Sequence, residues 1–184
     1  MIVTISGVPG SGKTSVGKKI AEKLGFPFYS VGGLRGKMAL ERGMTLDELN
    51  TLGETDKSTD SIVDDYQKEL GAKEDNFVIE GRLSWYFIPH SFKIFLDCNI
   101  DEATRRIMSS KDDRPDEHLP AKIDAVKRLT EERMASDMRR YKKYYGLNYT
   151  DKSHYDLFID TTPLKSVDES VNLVLEALRP RLDV

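Results

Sequence analysis

The chain has little of what several protein classes depend on. Only one of its 184 residues is cysteine, Cys98, so no disulfide can close within the chain. That suits a reducing compartment and makes a cytoplasmic location the expectation. Cys98 follows the apolar run Ile94-Phe95-Leu96 and reads as a small residue at a strand end, not as a reactive thiol. The three histidines, His90, His118 and His154, are far apart, and no Cys/His pair has ligand spacing, which argues against a protein-held zinc site. No apolar run is long enough to cross a bilayer. The opening Met1-Ile2-Val3-Thr4-Ile5 goes directly into a strand pattern, so neither a membrane span nor a signal peptide is expected. Neither sign of charge dominates: 28 Lys and Arg stand against 31 Asp and Glu, a formal charge of -3. A general nucleic-acid binder would carry a basic surplus, although local basic clusters can still hold a small anion.

What is present points to a soluble globular protein. Hydrophobic residues make up 39% and charged residues 32%, enough of each for a real core under a solvated surface. The length fits one compact domain over residues 1–184, and no internal repeat or low-complexity segment interrupts it. Ile2-Val3-Thr4-Ile5 reads as a short buried strand. From Lys13 the spacing turns helical, with Val16, Ile20, Ala21 and Leu24 on one face and Gly25 as a stop. Phe26 to Val31 is a plausible second strand. Residues 32–74 look helical and polar, with Thr45-Leu46-Asp47-Glu48 forming a capping box and a further helix from Ser58 to Leu70 ending before Gly71. Phe77-Val78-Ile79-Glu80 and Phe92 to Leu96 are strand-like. Asp101 is placed as the cap of a helix running to Met108, and residues 109–120 as a loop. A charged helix follows from about Leu119 to Tyr145, then a strand from Tyr155 to Asp160 and a helix from Val167 to Leu178. Strands alternating with helices predict an α/β, three-layer domain around a parallel five-stranded sheet.

The sharpest signal is Gly7-Val8-Pro9-Gly10-Ser11-Gly12-Lys13-Thr14, followed by Ser15. It satisfies G-x-x-x-x-G-K-[ST], the phosphate-binding P-loop, in the strand-to-helix context that the motif requires. Glycines let the backbone wrap a phosphate, while exposed N–H groups and a helix N-terminus favour its charge. The motif places Lys13 on the β- and γ-phosphates of ATP and the Thr14 hydroxyl on Mg²⁺. A kinase for a phosphorylated acceptor also needs cations on the second phosphate. Arg35 and Arg82 lie just after the second and third strands, near the strand ends where open α/β sheets bind ligands. Arg133, Asp137 and Arg140 fall on one face of a helix, where they could be either a binding face or ordinary solvated ion pairs.

Taken together, these residues resemble the nucleoside monophosphate kinases, and specifically the short, archaeal-type cytidylate kinases. The resemblance covers the opening strand and phosphate loop, Tyr29-Ser30-Val31-Gly32 to Arg35, and Glu80-Gly81-Arg82. It continues through Arg133-x-x-x-Asp137-x-x-Arg140-Tyr141, Tyr145-Gly146 and Tyr155 to Thr161. It implies a P-loop kinase fold with a helical nucleoside-monophosphate-binding segment at about 31–75 and a short lid at about 109–120. It also implies that Arg133 and Asp137 contact the acceptor, that Arg140 lies near its phosphate or the transferring group, and that lid arginines, Arg106 and Arg114 foremost, close over the phosphates. Glu80 stands where many such kinases carry aspartate, so it is expected to hold Mg²⁺ through water or to orient Arg82. Asp60 and Asp64 share a helix face in the acceptor-binding segment. One of them is expected to accept from the cytosine amine, against the alternative that both face solvent.

The expected activity is ATP-dependent phosphorylation of CMP or dCMP by a monomer, with no nucleic-acid or membrane partner. An adenylate kinase-like or other small-metabolite kinase shares the scaffold. An ATPase switch is a third possibility, and Trp85-Tyr86-Phe87-Ile88 is its only candidate docking run. That run also reads as core or cleft wall.

Overall fold

The computed structural model describes residues 1–110 and 119–182. Five parallel strands form one sheet: β1 (Ile2–Gly7), β2 (Phe28–Ser30), β3 (Phe77–Glu80), β4 (Phe92–Asp97) and β5 (Leu157–Asp160). Their spatial order is β2-β3-β1-β4-β5. β1 is therefore central, with Val3 opposite both Val78 and Phe92, and all six of its residues are buried. A parallel sheet must be covered on both faces.

On one face lie α1 (Lys13–Leu24) and α8 (Val167–Leu182). Val16, Ile20, Val171, Val174 and Leu178 pack there against Val3, Ile5 and Ile94. The opposite face is covered by the one-turn α5 (Ser84–Phe87), by α6 (Ile100–Ser109) and by the long α7 (Ile123–Tyr145). Trp85, Phe95, Tyr141 and Tyr149 meet in its core. Between β2 and β3 the chain inserts α2 (Val31–Glu41), α3 (Leu46–Gly53) and α4 (Ser58–Lys73). These helices hold a small core of their own, Met38, Ala39, Leu49 and Val63. Trp85 and Ile88 of that run are core, whereas Tyr86 is exposed and Phe87 half-buried.

Several predicted boundaries move, each for a local reason. The second strand stops at Ser30 because its Oγ caps α2, accepting from Gly33 N at 2.9 Å. Gly32 and Gly33 thus lie in the first turn of that helix. Gly71 does not end α4, which continues to Lys73. A Cβ at position 71 would stand 2.9 Å from Ile88 Cγ1, so this glycine allows close packing. Asn99, not Asp101, caps α6, its side chain accepting from Glu102 N at 2.9 Å. Asp101 sits in the first turn, where its charge meets the helix dipole. α7 begins at Ile123 instead of Leu119. The last strand is only Leu157–Asp160. α8 continues past Leu178 and across Pro180, close enough to the helix end for one lost hydrogen bond to be tolerated. The Thr45 capping box and the left-handed stops at Gly25 and Gly146 stand as expected.

Candidate active site

The carboxyl ends of β1, β2, β3 and β5 open into a cleft of about 1270 Å³. That exceeds the roughly 300–1,000 Å³ typical of a site for one small ligand. One end is the loop joining β1 to α1. Gly7 has φ of +148°, and a Cβ there would meet Leu96 O at 2.1 Å, so only glycine passes. Gly12 caps α1 with φ of +87° and open space where a Cβ would point. The loop therefore presents backbone, not side chain, to the cleft, at the positive end of a twelve-residue helix.

Pro9, Gly10, Ser11, Gly12, Lys13, Thr14 and Ser15 line the cleft. Val8 turns its side chain into the core, and its carbonyl accepts from Lys13 Nζ at 2.7 Å and Ser11 Oγ at 2.9 Å. Thr14 Oγ1 donates to Glu80 Oε1 at 3.4 Å, and Ser30 Oγ donates to the same carboxylate oxygen. The hydroxyl and carboxylate converge beside the loop, a donor set of hard oxygens that suits a magnesium ion. The described residues contain no cluster of three His, Cys, Asp or Glu side chains. A divalent ion here would complete its shell with water and phosphate oxygens, as Mg²⁺ commonly does.

The other end of the cleft is built from arginines on three elements. Arg35 from α2 donates to Asp60 Oδ1 at 2.6 Å, to Asn50 Oδ1 at 3.2 Å and to Thr59 O at 3.1 Å. Arg82, in the turn after β3, donates to Asp137 Oδ2 at 2.5 Å and to Gly7 O at 2.8 Å. It thus ties this end of the cleft directly to the β1–α1 loop. Arg140 on α7 is almost fully buried, donating to Asp137 Oδ1 at 2.7 Å and Asn50 Oδ1 at 3.2 Å, with its Nε 3.3 Å from Asp60 Oδ2. Arg133, two turns earlier on the same face, binds Asp47 Oδ1 at 2.9 Å. Burial pulls the Asp137 carboxyl upward, but the charges of Arg82 and Arg140 outweigh it and hold the group below its ordinary value. For Arg82, burial lowers the pKa and the Asp137 charge more than reverses this. Two buried guanidiniums, Arg35 and Arg140, and the half-buried Arg82 share two buried carboxylates, Asp60 and Asp137. The cluster keeps one positive charge uncompensated and is primed for an anion.

Not every expected residue faces this space. Asp60 and Asp64 are absent from the cleft lining. Asp60 is the counter-ion of Arg35 and Arg140. Asp64 points the other way, accepting from the Tyr145 hydroxyl. Arg106 does line the cleft, but its guanidinium is held by Glu102, Thr161 O at 2.8 Å and Leu164 O at 3.3 Å. Exposed Arg105 pairs with Glu102, whose carboxyl is held down to about 2 by hydrogen bonds from Arg105 and then Arg106. Arg114 and residues 111–118 of the expected lid lie outside the described residues.

Sequence reasoning missed three lining groups: Leu46 with Asn50 on α3, Tyr141, and the segment 161–167 after β5. The last was accessible from the rule that ligands gather at carboxyl ends of strands. Tyr141 and Leu46 fall within motifs that do not mark them as cleft lining, and Asn50 carries no local motif.

The Asp64 environment has a measurable consequence. Burial, more than the Tyr145 hydrogen bond offsets, pushes its pKa up to about 6, with Asp60 adding repulsion. A carboxyl raised on folding costs no stability below its unfolded value near 4. The cost grows as pH climbs to the folded value and then stays constant. Asp64→Asn retains an oxygen for Tyr145. It is expected to stabilise the protein at pH 8 by on the order of 1–2 kcal/mol and to change little near pH 4. Urea unfolding at both pH values measures this, and equal stability at pH 8 contradicts it.

The family comparison agrees with the chemistry of the cleft. A model describing the cytidylate kinase-like family matches residues 2–163. The chain belongs to the cytidylate kinase-like family. Among its relatives, the cytidylate kinase of Methanocella arvoryzae is 43% identical over 162 residues, covering 88% of both chains. That of Archaeoglobus fulgidus is 34% identical over 179 residues, covering 97% of this chain and 94% of the other. Among solved structures, the shikimate kinase of Bacteroides thetaiotaomicron superposes with a TM-score of 0.67 at 19% identity, over 97% of this chain and 98% of that one. An uncharacterized protein from Eubacterium ventriosum gives 0.72, also at 19% identity and with the same coverage. These likenesses establish the P-loop kinase fold for this member of the family.

Proposed function

We propose that this chain transfers the γ-phosphoryl group of ATP to CMP or dCMP, giving CDP or dCDP and ADP. The observation that carries the reading is the single cleft with an anion-binding loop at one end and an excess of buried guanidinium charge at the other. Such a site holds two phosphorylated molecules. A kinase with a neutral acceptor has no use for Arg35, Arg82 and Arg140 gathered in one cluster. The cytidylate kinase relatives, aligned over most of the chain, support cytosine as the acceptor base.

In this reading the loop amides and the α1 N-terminus hold the β- and γ-phosphates. Lys13 leaves the Val8 carbonyl to follow the transferring group. Thr14 and Glu80 would hold Mg²⁺, which would supply charge neutralisation for the phosphates. Arg35, Arg82 and Arg140 orient the acceptor phosphate, and Arg133 with Asp137 supports the acceptor side. An acceptor phosphate oxygen bonds to the γ-phosphorus as the bond to the bridging oxygen of the leaving ADP breaks. No covalent enzyme intermediate is needed. Residues 31–75 serve as the acceptor-binding segment and 109–120 as a lid, with Arg106 and Arg114 among the closing cations. Both ends of the cleft come from one chain, which supports action as a monomer. No described helix is long and apolar enough to cross a membrane, in keeping with a cytoplasmic enzyme.

An acceptor panel tests the proposal. Purified protein with MgATP should convert CMP and dCMP in preference to UMP and AMP, with stoichiometric ADP. Failure to phosphorylate any of the four rejects it, and ATP hydrolysis without transfer would point to a switch ATPase instead.

A further inference from the structure

Asn50 sits at the centre of the acceptor end, yet nothing in the sequence singled it out. It is 8% exposed, projects from α3 and lines the cleft. Its Oδ1 accepts from Arg35 Nε at 3.2 Å and from Arg140 Nη1 at 3.2 Å. A guanidinium can only donate. The two arginines therefore fix which way the carboxamide points, because the flipped amide would set its NH₂ against two cations. Oδ1 is committed to the clamp. Nδ2 makes no hydrogen bond among the described residues, and it is not among the fully buried polar atoms left without partners. It remains a donor directed at the cleft. Leu46, one helical turn earlier on the same face, also lines the cleft and offers an apolar surface for a ring to lie on.

We infer that Asn50 is the residue that reads the acceptor base: its Nδ2 donates to ring nitrogen N3 of cytosine while the ring rests on Leu46. The inference rests on the acceptor being a cytidine nucleotide and adds what recognises it. N3 carries a lone pair in cytosine and a hydrogen in uracil, so a fixed donor accepts one base and repels the other. The arginines thereby do two things. They face the acceptor phosphate and, through Oδ1, hold the reading group in one orientation. Asp60 is then the buried counter-ion of that assembly, without contact to the base.

The test is a ratio, which separates base reading from a general loss of anion binding. Asn50→Asp still presents an oxygen to Arg35 and Arg140 but replaces the donor with an acceptor suited to the uracil N3 hydrogen. The CMP/UMP ratio of kcat/KM is expected to fall by about tenfold or more, while KM for ATP stays near its wild-type value. If CMP and UMP decline in parallel, Asn50 acts only through the clamp and the inference is overturned. A ligand-side experiment needs no variant. Wild-type protein should prefer CMP over its 3-deaza analogue, in which C–H replaces N3, by about tenfold. Equal use of the two also overturns it. Wild-type protein that ignores CMP altogether would instead reject the proposed function, so the two failures are distinct.

Discussion

Lys13→Met is expected to lower turnover by about 10²–10³-fold, the usual cost of removing one preorganised donor from a developing anion. The substitution keeps most of the hydrophobic stem and removes only the charge. Lys13 opens α1 and lines the cleft, half-buried and outside the apolar core. The fold should therefore survive, and the melting temperature should stay near that of the wild type. ATP should still bind, because the loop amides and the helix terminus act without the side chain. Binding by calorimetry set against turnover in the coupled assay measures the split. A kcat within about threefold of wild type would show that the ammonium does not follow the transferring group.

The phosphate loop was legible because the eight consecutive residues that make the motif also make the local structure. Gly7 and Gly12 need positive φ wherever the loop occurs, so the motif carries its own geometry. The alternation of strands and helices was legible for a similar reason, since β1, β3 and β4 are short runs rich in β-branched and aromatic residues, with polar residues such as Thr4, Lys93 and the terminal Glu80 too few to hide the pattern. Boundaries were less so wherever a side chain made a contact that the local pattern did not announce. Ser30 leaves the strand to cap α2, and Gly71 stays helical because Ile88 needs the space.

The acceptor end was legible by residue type and obscure by partner. Its arginines could be listed, but Arg82 and Asp137 are 55 positions apart, and Arg35 meets Asp60 only because α2 and α4 pack together. Asp60 and Asp64 looked equivalent on one helix face. The structure gives the first two arginines as partners and the second a tyrosine. Asn50 stayed invisible because a single asparagine on a polar helix has no period and no motif. Only the two guanidiniums meeting at its oxygen mark it out.

Asp137→Ala is expected to destabilise the protein by about 3–5 kcal/mol, the cost of breaking a buried ion pair from one side. Asp137 is 3% exposed, with Arg82 on one oxygen and Arg140 on the other. Its loss leaves the buried Arg35 and Arg140 and the half-buried Arg82 facing Asp60 alone, so the uncompensated charge rises from one to two. The joint replacement Arg82→Met with Asp137→Leu restores the count to two cations and one anion. It should therefore cost less than Asp137→Ala, even though it changes more atoms. The pH dependence has a definite sign. The folded pKa of Asp137 lies below the ordinary value, so its stabilisation is complete above about pH 4 and is lost as pH falls through the folded value. Wild type and Asp137→Ala should thus differ by a constant amount near neutrality and converge in acid. Urea unfolding from pH 7 downward measures the gap. A difference below about 1 kcal/mol at pH 7, or a double variant less stable than the single one, would show that charge matching does not hold this cluster together.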